Sequence, residues 1–355
     1  MTAKIPHFVE KLSAQNELFH RVGRFSIQDD ALSMAWSGCS LSGSFKGSAL
    51  AVELECRINF TLGEHLYLSV EIDGQKSTLK LNQAKTEIIL ASDLKEDLHT
   101  FKILRENEPF CGNLLAHQFK TDGQFVETKK KALLIEAIGD SIITGYGNES
   151  LVPHDSFNSQ TQKITRSMVY LAAESSNADL RVIGHSGRGI YSNFDGDQKN
   201  NIKSLYLNES PYLEGTHDFA NERKPDLVLF QIGTNDFANH LPPHNKFILN
   251  YVDLVKTVVK NNPDAQLLTL VGPILNDDWP ISPITGQPIS SLTLYDAWTD
   301  EVIGILKGSG IILNKLVLTP QEASRGYGAN WHPNLLQHQL NSVEIKSAFK
   351  KLLDR

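Results

Sequence analysis

Residues 133–147 read Leu133-Leu134-Ile135-Glu136-Ala137-Ile138-Gly139-Asp140-Ser141-Ile142-Ile143-Thr144-Gly145-Tyr146-Gly147, and their reading decides the fold. The segment starts as a short apolar run of the length of a buried strand, then breaks into Gly139-Asp140-Ser141 and two further glycines. A buried strand that ends in a turn of small residues delivers one side chain to the carboxyl edge of a sheet, where open α/β folds keep their reactive groups. Here that side chain is the hydroxyl of Ser141.

From this stretch to the C terminus, strand and helix patterns alternate. A helix candidate at Ser167–Ser175 precedes a short strand at Asp179–Ile183, which leads into Gly184-His185-Ser186-Gly187-Arg188-Gly189. Pro225–Ile232 reads as a buried strand ending in Gly233-Thr234-Asn235-Asp236. Phe247–Lys260 is apolar at Ile248, Tyr251, Val252, Val255 and Val259, the spacing of an amphipathic helix. Gln266–Val271 is the next strand, followed by a helix around Val302–Leu306, a strand at Ile311–Leu313 and a closing helix at Gln337–Leu352. This order predicts an α/β domain, a parallel sheet with helices on both faces. Loops at the carboxyl ends of such strands converge on one crevice, so Ser141, Gly187 and Asn235 are expected to meet there.

Upstream the periodicity is two. Strand candidates are Leu32–Trp36, Ala49–Phe60, Leu66–Ile72, Lys76–Leu81, Glu87–Ala91 and Thr100–Leu104, with Asp73-Gly74 as a hairpin turn. Only Val9–Leu18 has helical spacing. Short strands separated by Gly, Asp and Asn predict an all-β antiparallel sandwich of the jelly-roll kind, in an accessory role. Its aromatics, including Trp36, Tyr67, Phe101 and Phe110, read as core. The expected domains are residues 1–128, the sandwich, and residues 129–355, the α/β domain.

The whole chain bounds its partners. Its 355 residues suit two domains, and a net charge of −7 argues against nucleic acid or an anionic membrane as partner. No stretch approaches the ~20 apolar residues of a membrane span. Three cysteines, Cys39, Cys56 and Cys111, show no ligand spacing and read as buried thiols. No metal motif, P-loop or dinucleotide fingerprint is present, so neither metal nor cofactor is expected. The start lacks the apolar core of a signal peptide, which gives a cytoplasmic expectation, or secretion if a leader has been cleaved.

A serine needs a base within hydrogen-bond reach and donors aimed at the oxyanion it generates. His332, in the loop Asn330-Trp331-His332-Pro333 before the closing helix, is the candidate base. The N–H groups of Ser141 and Gly187 and the side-chain amide of Asn235 are candidate donors. Each feature alone has a plainer reading: Asp140 or Ser141 as a helix cap, Asn235 as a turn residue, His338 as a structural histidine. The order Ser, Gly, Asn, His at the strand ends of one sheet is far more specific.

That order resembles the four blocks of the SGNH (GDSL-like) hydrolases. Ile138-Gly139-Asp140-Ser141-Ile142 with Gly145-Tyr146-Gly147-Asn148, Ser186-Gly187-Arg188-Gly189, Gly233-Thr234-Asn235-Asp236-Phe237 and Trp331-His332-Pro333-Asn334 are similar to those of carbohydrate esterase family 2. The resemblance implies a jelly-roll sandwich ahead of an SGNH domain. It also implies a serine esterase that removes O-acetyl groups from acetylated mono- or oligosaccharides, often at the 6-hydroxyl, without a cofactor. It marks Ser141 as nucleophile and His332 as base, with Ser141, Gly187 and Asn235 as oxyanion hole. Trp331 and Tyr191 are marked as sugar contacts, and Trp279 and Trp298 more weakly as a pocket wall.

One departure stands out. Many SGNH enzymes place an aspartate two or three residues before the histidine, where this chain has Asn330 and Ala329. A Ser-His dyad is therefore expected, its imidazole oriented by a backbone carbonyl or the Asn330 side-chain oxygen, with Asp236 and Asp278 as remote alternatives. Two other readings stay open: an SGNH lipase or thioesterase for longer acyl chains, and an inactive carbohydrate-binding homologue.

Overall fold

The computed structural model of the protein describes residues 6–58, 65–211, 213–238, 241–282 and 285–353. They group into two compact units that divide between Lys131 and Ala132, with Ser210 and Pro211 grouped with the first.

The first unit holds two six-stranded antiparallel sheets. One runs Ser26–Gln28, Ala31–Ser33, Asn113–Thr121, Leu50–Arg57, Lys85–Ala91, with Glu10–Ser13 also paired to Asn113–Thr121. The other runs Gln124–Val126, Ser40–Gly47, Asp97–Arg105, Leu66–Ile72, Gln75–Leu81, with His20–Val22 also paired to Ser40–Gly47. Alternation sends Phe19, Phe45, Phe101, Phe119 and Phe125 inward, all nearly fully buried. Phe119 lies 4.9 Å from Phe19 and 4.8 Å from Phe101, centroid to centroid. Each such ring contributes about 1.5–3 kcal/mol by leaving water.

Arg105 is fully buried in this core and satisfies its charge on carbonyls, donating to those of Met34, Asn107, Glu108 and Gly112. The turn Asp73-Gly74 closes the hairpin between Ile72 and Gln75, both residues at positive φ as its tight turn demands. Trp36, Tyr67 and Phe101 are buried, whereas Phe110 is exposed. The three thiols are free and buried, and burial pushes Cys39 and Cys56 up to about 12.

Two readings need correction here. Val9–Leu18 contains the strand Glu10–Ser13 rather than a helix, because pairing with Gln118–Thr121 supplies the backbone partners that a short exposed helix would lack. Ser40–Gly47 and Asn113–Thr121 are strands that their composition did not reveal. The proposed Ala49–Phe60 strand ends at Arg57, and its last two residues lie outside those described.

The second unit is built on a five-stranded parallel sheet. In chain order its strands are Leu133–Gly139, Ala178–Gly184, Leu227–Gln231, Gln266–Val271 and Asn314–Val317. In space they stand second, first, third, fourth, fifth. Parallel strands covered on both faces must be apolar throughout, and the first three are buried almost end to end. The last strand lies three residues beyond the expected Ile311–Leu313.

Because crossovers are right-handed, reversing direction after the second strand puts the helices that connect the later strands on the opposite face from Met168–Ser175, and the closing helix returns to the face of Met168–Ser175. Helix Met168–Ser175 packs on the closing helix Leu335–Leu353, and His244–Asn261 packs on Ser291–Gly308. Glu136 and Arg181 face each other across the first two strands and form a buried ion pair of 2.7 Å. Glu222 adds a second carboxylate to Arg181 at 3.0 Å. Such charges remain inside only when paired, and they lock these strands in one register. The reversal point lies between the first strand and the third, at the carboxyl end of the first. Open α/β sheets hold their crevice there, and Ser141 follows that end directly.

Candidate active site

The first strand stops at Gly139, and the chain turns into a single helical turn, Ser141–Thr144. Asp140 caps it, accepting from the Ile142 N–H at 3.0 Å. The cap falls on Asp140 and leaves the Ser141 side chain to other partners: it fixes the turn that carries the Ser141 hydroxyl at the sheet edge.

The hydroxyl meets His332. Its Oγ lies 2.8 Å from His332 Nε2, although the two residues are 191 apart in sequence. The approach depends on glycine. Gly147 sits at φ 54, and a β-carbon there would lie 2.5 Å from the Ala329 Cβ. Its carbonyl accepts from the Ala329 N–H at 3.0 Å, tying the serine's loop to the histidine's loop.

The histidine's far nitrogen, Nδ1, is 3.1 Å from the carbonyl oxygens of both Ala329 and Asn330. These acceptors fix the tautomer, with the proton on Nδ1 and a free lone pair on Nε2 facing the serine. The Asn330 side chain does something else, donating from Nδ2 to the Tyr146 hydroxyl at 2.8 Å. Asp236 is not near the imidazole. Its carboxylate accepts the N–H groups of Ile190 and Tyr191, each at 2.8 Å, and of Ser192 at 2.9 Å. Burial nonetheless pushes this group up to about 6, against those three donors. Asp278 lies in an exposed turn and makes a local contact with Asn276. Burial drives His332 down to about 4, opposed by its two carbonyl bonds. The ring is therefore neutral, and able to accept a proton, at ordinary pH.

Two residues before the histidine hold a costly backbone. Asn330 (φ 48) and Trp331 (φ 62) are both left-handed, rare for a bulky side chain. Bonds on every side hold them there: the Asn330 N–H to the Asp155 carbonyl, Gln321 Nε2 to the Trp331 carbonyl, and the Gly328 N–H to the His332 carbonyl.

The donors expected for an oxyanion stand at the same edge. Gly187 is left-handed at φ 77, and a β-carbon there would meet only the Phe194 Cβ, at 3.9 Å. Asn235 Nδ2 donates to the Arg188 carbonyl at 2.8 Å and more distantly to Asp140 Oδ2 at 3.3 Å. Ser141, Gly187, Asn235 and His332 all line one cleft of about 1030 Å³. Trp331, Trp279 and Phe194 line it too, 48–58 % exposed, and present ring surface to the cleft. Its wall includes the apolar Ile274, Leu275, Phe237 and Pro280.

Tyr191 is not among the lining residues; its N–H serves Asp236. Trp298 is not among them either, packing within the unit on Phe237, Phe247 and His244. His338 is buried in the closing helix and accepts from the Met168 N–H at 3.2 Å, a structural contact. Tyr146 is part of the first block, with no role assigned to it from the sequence, and its ring lies 4.3 Å from that of His332. Among the described residues, no cluster of acidic, histidine or cysteine side chains could hold a metal ion. None of the described helices is long and apolar enough to cross a membrane.

Comparison with known proteins gives two family matches. Residues 21–128 match the carbohydrate esterase 2 N-terminal domain, and residues 137–340 match the GDSL-like lipase/acylhydrolase family. Over 93% of its length the chain is 28% identical to a cellulase/esterase of Acetivibrio thermocellus, but it spans only 39% of that relative. It is 26% identical to an acetylxylan esterase/glucomannan deacetylase of Cellvibrio japonicus, covering 97% of this chain and 91% of the relative. Among solved structures, a family two carbohydrate esterase from Clostridium thermocellum, in complex with cellohexaose, superposes with a TM-score of 0.85. Its identity is 28%, over 95% of this chain and 99% of that one.

Proposed function

Because the chain belongs to the GDSL-like lipase/acylhydrolase family and carries the carbohydrate esterase 2 N-terminal domain before it, we propose that it removes O-acetyl groups from saccharides. The 6-O position is the acetyl site we infer. The observation that carries this reading is the 2.8 Å contact between Ser141 Oγ and His332 Nε2 in an open cleft walled by exposed aromatics. An inactive sugar-binding protein would have no need of that pairing.

The chemistry follows from the geometry. His332 Nε2 takes the Ser141 proton as Oγ attacks the acetyl carbon. The N–H groups of Ser141 and Gly187 receive the oxyanion, together with Asn235 Nδ2. The Asn235 amide has two hydrogens. Its short bond to the Arg188 carbonyl fixes one, and the longer contact to Asp140 is the one an oxyanion replaces. The imidazolium then protonates the departing sugar oxygen, leaving acetyl on Ser141. Water attacks that ester, giving its proton to His332, and acetate leaves as the serine regains its hydrogen. Ala329 and Asn330 carbonyls do the orienting work of the aspartate, so this is a dyad. Trp331, exposed beside the base, offers a stacking face to the sugar ring; no substrate contact is assigned to Tyr191.

The apolar wall formed by Ile274, Leu275 and Phe237 favours one second reading, hydrolysis of longer acyl esters. Acetate release from acetylated mono- and oligosaccharides, with Ser141→Ala as control, tests the first. Loss of at least about a thousandfold in kcat is expected of the variant, since such residues act as a unit. Unchanged turnover would overturn the assignment. A nitrophenyl ester series peaking at eight or more carbons would transfer it to the second reading.

A further inference from the structure

The dyad has a physical shortfall. Carbonyl oxygens orient an imidazole as well as a carboxylate does, but they stabilise its positive form less, and that form arises in every turnover. The structure places an aromatic face where this deficit could be met. The Tyr146 ring lies 4.3 Å from the His332 ring with 31° between planes. A tyrosine face at that distance attracts a cation through its quadrupole.

Three further contacts make the placement specific. The Tyr146 N–H donates to the Ser141 carbonyl at 3.1 Å, so the stacking ring and the nucleophile share one turn. Phe157 backs the ring at 4.8 Å. The Tyr146 hydroxyl accepts from the Asn330 amide, and the Asn330 carbonyl is itself one of the two acceptors of the His332 Nδ1 proton. One side chain thus touches the base on its face and also anchors a residue that holds its edge. His338, which burial holds down to about 3 and hence neutral, is a titratable neighbour of the base, and Asp155 adjoins the loop through its carbonyl, which accepts from the Asn330 N–H.

We propose that Tyr146 is a positioning residue for His332 that replaces the absent carboxylate: its ring stabilises the transient imidazolium, and its hydroxyl fixes the residue that holds Nδ1. This rests on the Ser141–His332 reading above, and it concerns how the base is supported rather than what is hydrolysed.

Kinetics of nitrophenyl acetate hydrolysis by Tyr146→Leu and Tyr146→Phe, against wild type and Ser141→Ala, provide the test. Tyr146→Leu keeps the apolar cover but removes the ring. Its kcat is expected to fall about tenfold, with KM within about twofold and the acid limb of kcat/KM displaced to lower pH. Tyr146→Phe keeps the ring and should lose about threefold or less, with the acid limb in place. Tyr146→Met, a flexible filler of similar volume, serves the same comparison if the leucine variant does not fold.

Wild-type kcat in Tyr146→Leu or Tyr146→Met, a loss confined to KM, or an unmoved acid limb would overturn the proposal. So would a tenfold loss in Tyr146→Phe equal to that in Tyr146→Leu, because the ring would then be doing nothing. The two levels separate cleanly. Activity surviving in Ser141→Ala removes the esterase reading itself. An inactive Ser141→Ala beside an unaffected Tyr146→Leu removes only the role of Tyr146.

Discussion

Among the described residues of the sandwich, four besides glycine hold a left-handed backbone, and all four are aspartates: Asp29, Asp30, Asp73 and Asp93. In the hydrolase unit the same conformation falls on Asn177, Asn200 and Ser290, and then on the adjacent pair Asn330-Trp331. The aspartates stand in turns between strands, where a short polar side chain tolerates this conformation and reaches neighbouring groups: Asp73 accepts from the Thr100 N–H and Asp29 pairs with Arg57. Tryptophan has no such device. Its conformation persists because the surrounding loop is bonded on every side, and it adjoins His332. Irregular backbone in the first unit reverses a strand; in the second it aims a side chain.

Histidines carry the same contrast. His99 in the sandwich is pushed up by bonding to the Lys95 carbonyl and the Asp73 carboxylate. His332 and His338 are pushed down by burial, to about 4 and about 3. One unit stabilises the cation for the sake of structure, and the other suppresses it, which leaves a usable base.

The hardest blow to this division would come from the sandwich core. Phe119→Ala is expected to destabilise the protein by about 3–5 kcal/mol, read from its denaturant midpoint. The kcat of the folded fraction on an aryl acetate should not change, because the proposed dyad, Ser141 and His332, lies wholly in the other unit. A fall in kcat at preserved fold would mean that the units do not divide structure and chemistry in this way.

A pH series sharpens the histidine contrast. Neutral His332 is the working form, so kcat/KM should hold as pH falls below 6.5 and drop only as it passes about 4. Stability linked to His332 and His338 is fully present above 6.5. It is lost as pH falls from there towards the folded values, since the unfolded chain takes up protons that the native one refuses. His99 runs the other way: its contribution is full below 6.5 and fades as pH rises through its raised value. An acid limb near 6.5 would show that His332 is not held neutral by its surroundings.

The smallest effects are expected from paired glycine substitutions. Asp93→Gly should move stability by less than about 1 kcal/mol in thermal melts, since aspartate adopts its turn at little cost. Trp331→Gly should be similarly mild in stability, because glycine accepts the left-handed backbone freely. Yet it should raise KM for an acetylated saccharide while leaving aryl acetate turnover nearly intact. Equal effects of the two variants on KM would erase the distinction between a turn and a working loop.

Much of this was legible in the residues. The Asp-Gly hairpin, the buried strands and the order of Ser141, Gly187, Asn235 and His332 are local signals, and local signals survive in a linear string. Strands such as Ser40–Gly47 were not legible, because serine and glycine take a sheet position only when their neighbours cover them. Helical spacing over Val9–Leu18 misled for the same reason: a partner strand a hundred residues away settles the matter. The orienting carbonyls stood in the sequence beside the Asn330 side chain, Asp236 and Asp278 as alternatives, since nothing in a sequence says where a main-chain oxygen points. Tyr146 stood in the decisive stretch between two glycines, but its relation to His332 spans 186 residues and exists only in space.

The carbonyls of Ala329 and Asn330 have a consequence for inheritance. An aspartate that orients a histidine is one codon from being lost. A main-chain oxygen is encoded by every amino acid and cannot be deleted by changing any one of them. In this loop, mutation reaches the acceptor only by bending the backbone, so the feature most exposed to genetic drift is the geometry that Gly147, Gly328 and Asn330 maintain. A site arranged in this way is guarded by its glycines and by the small, fully buried Ala329 that packs against Gly147.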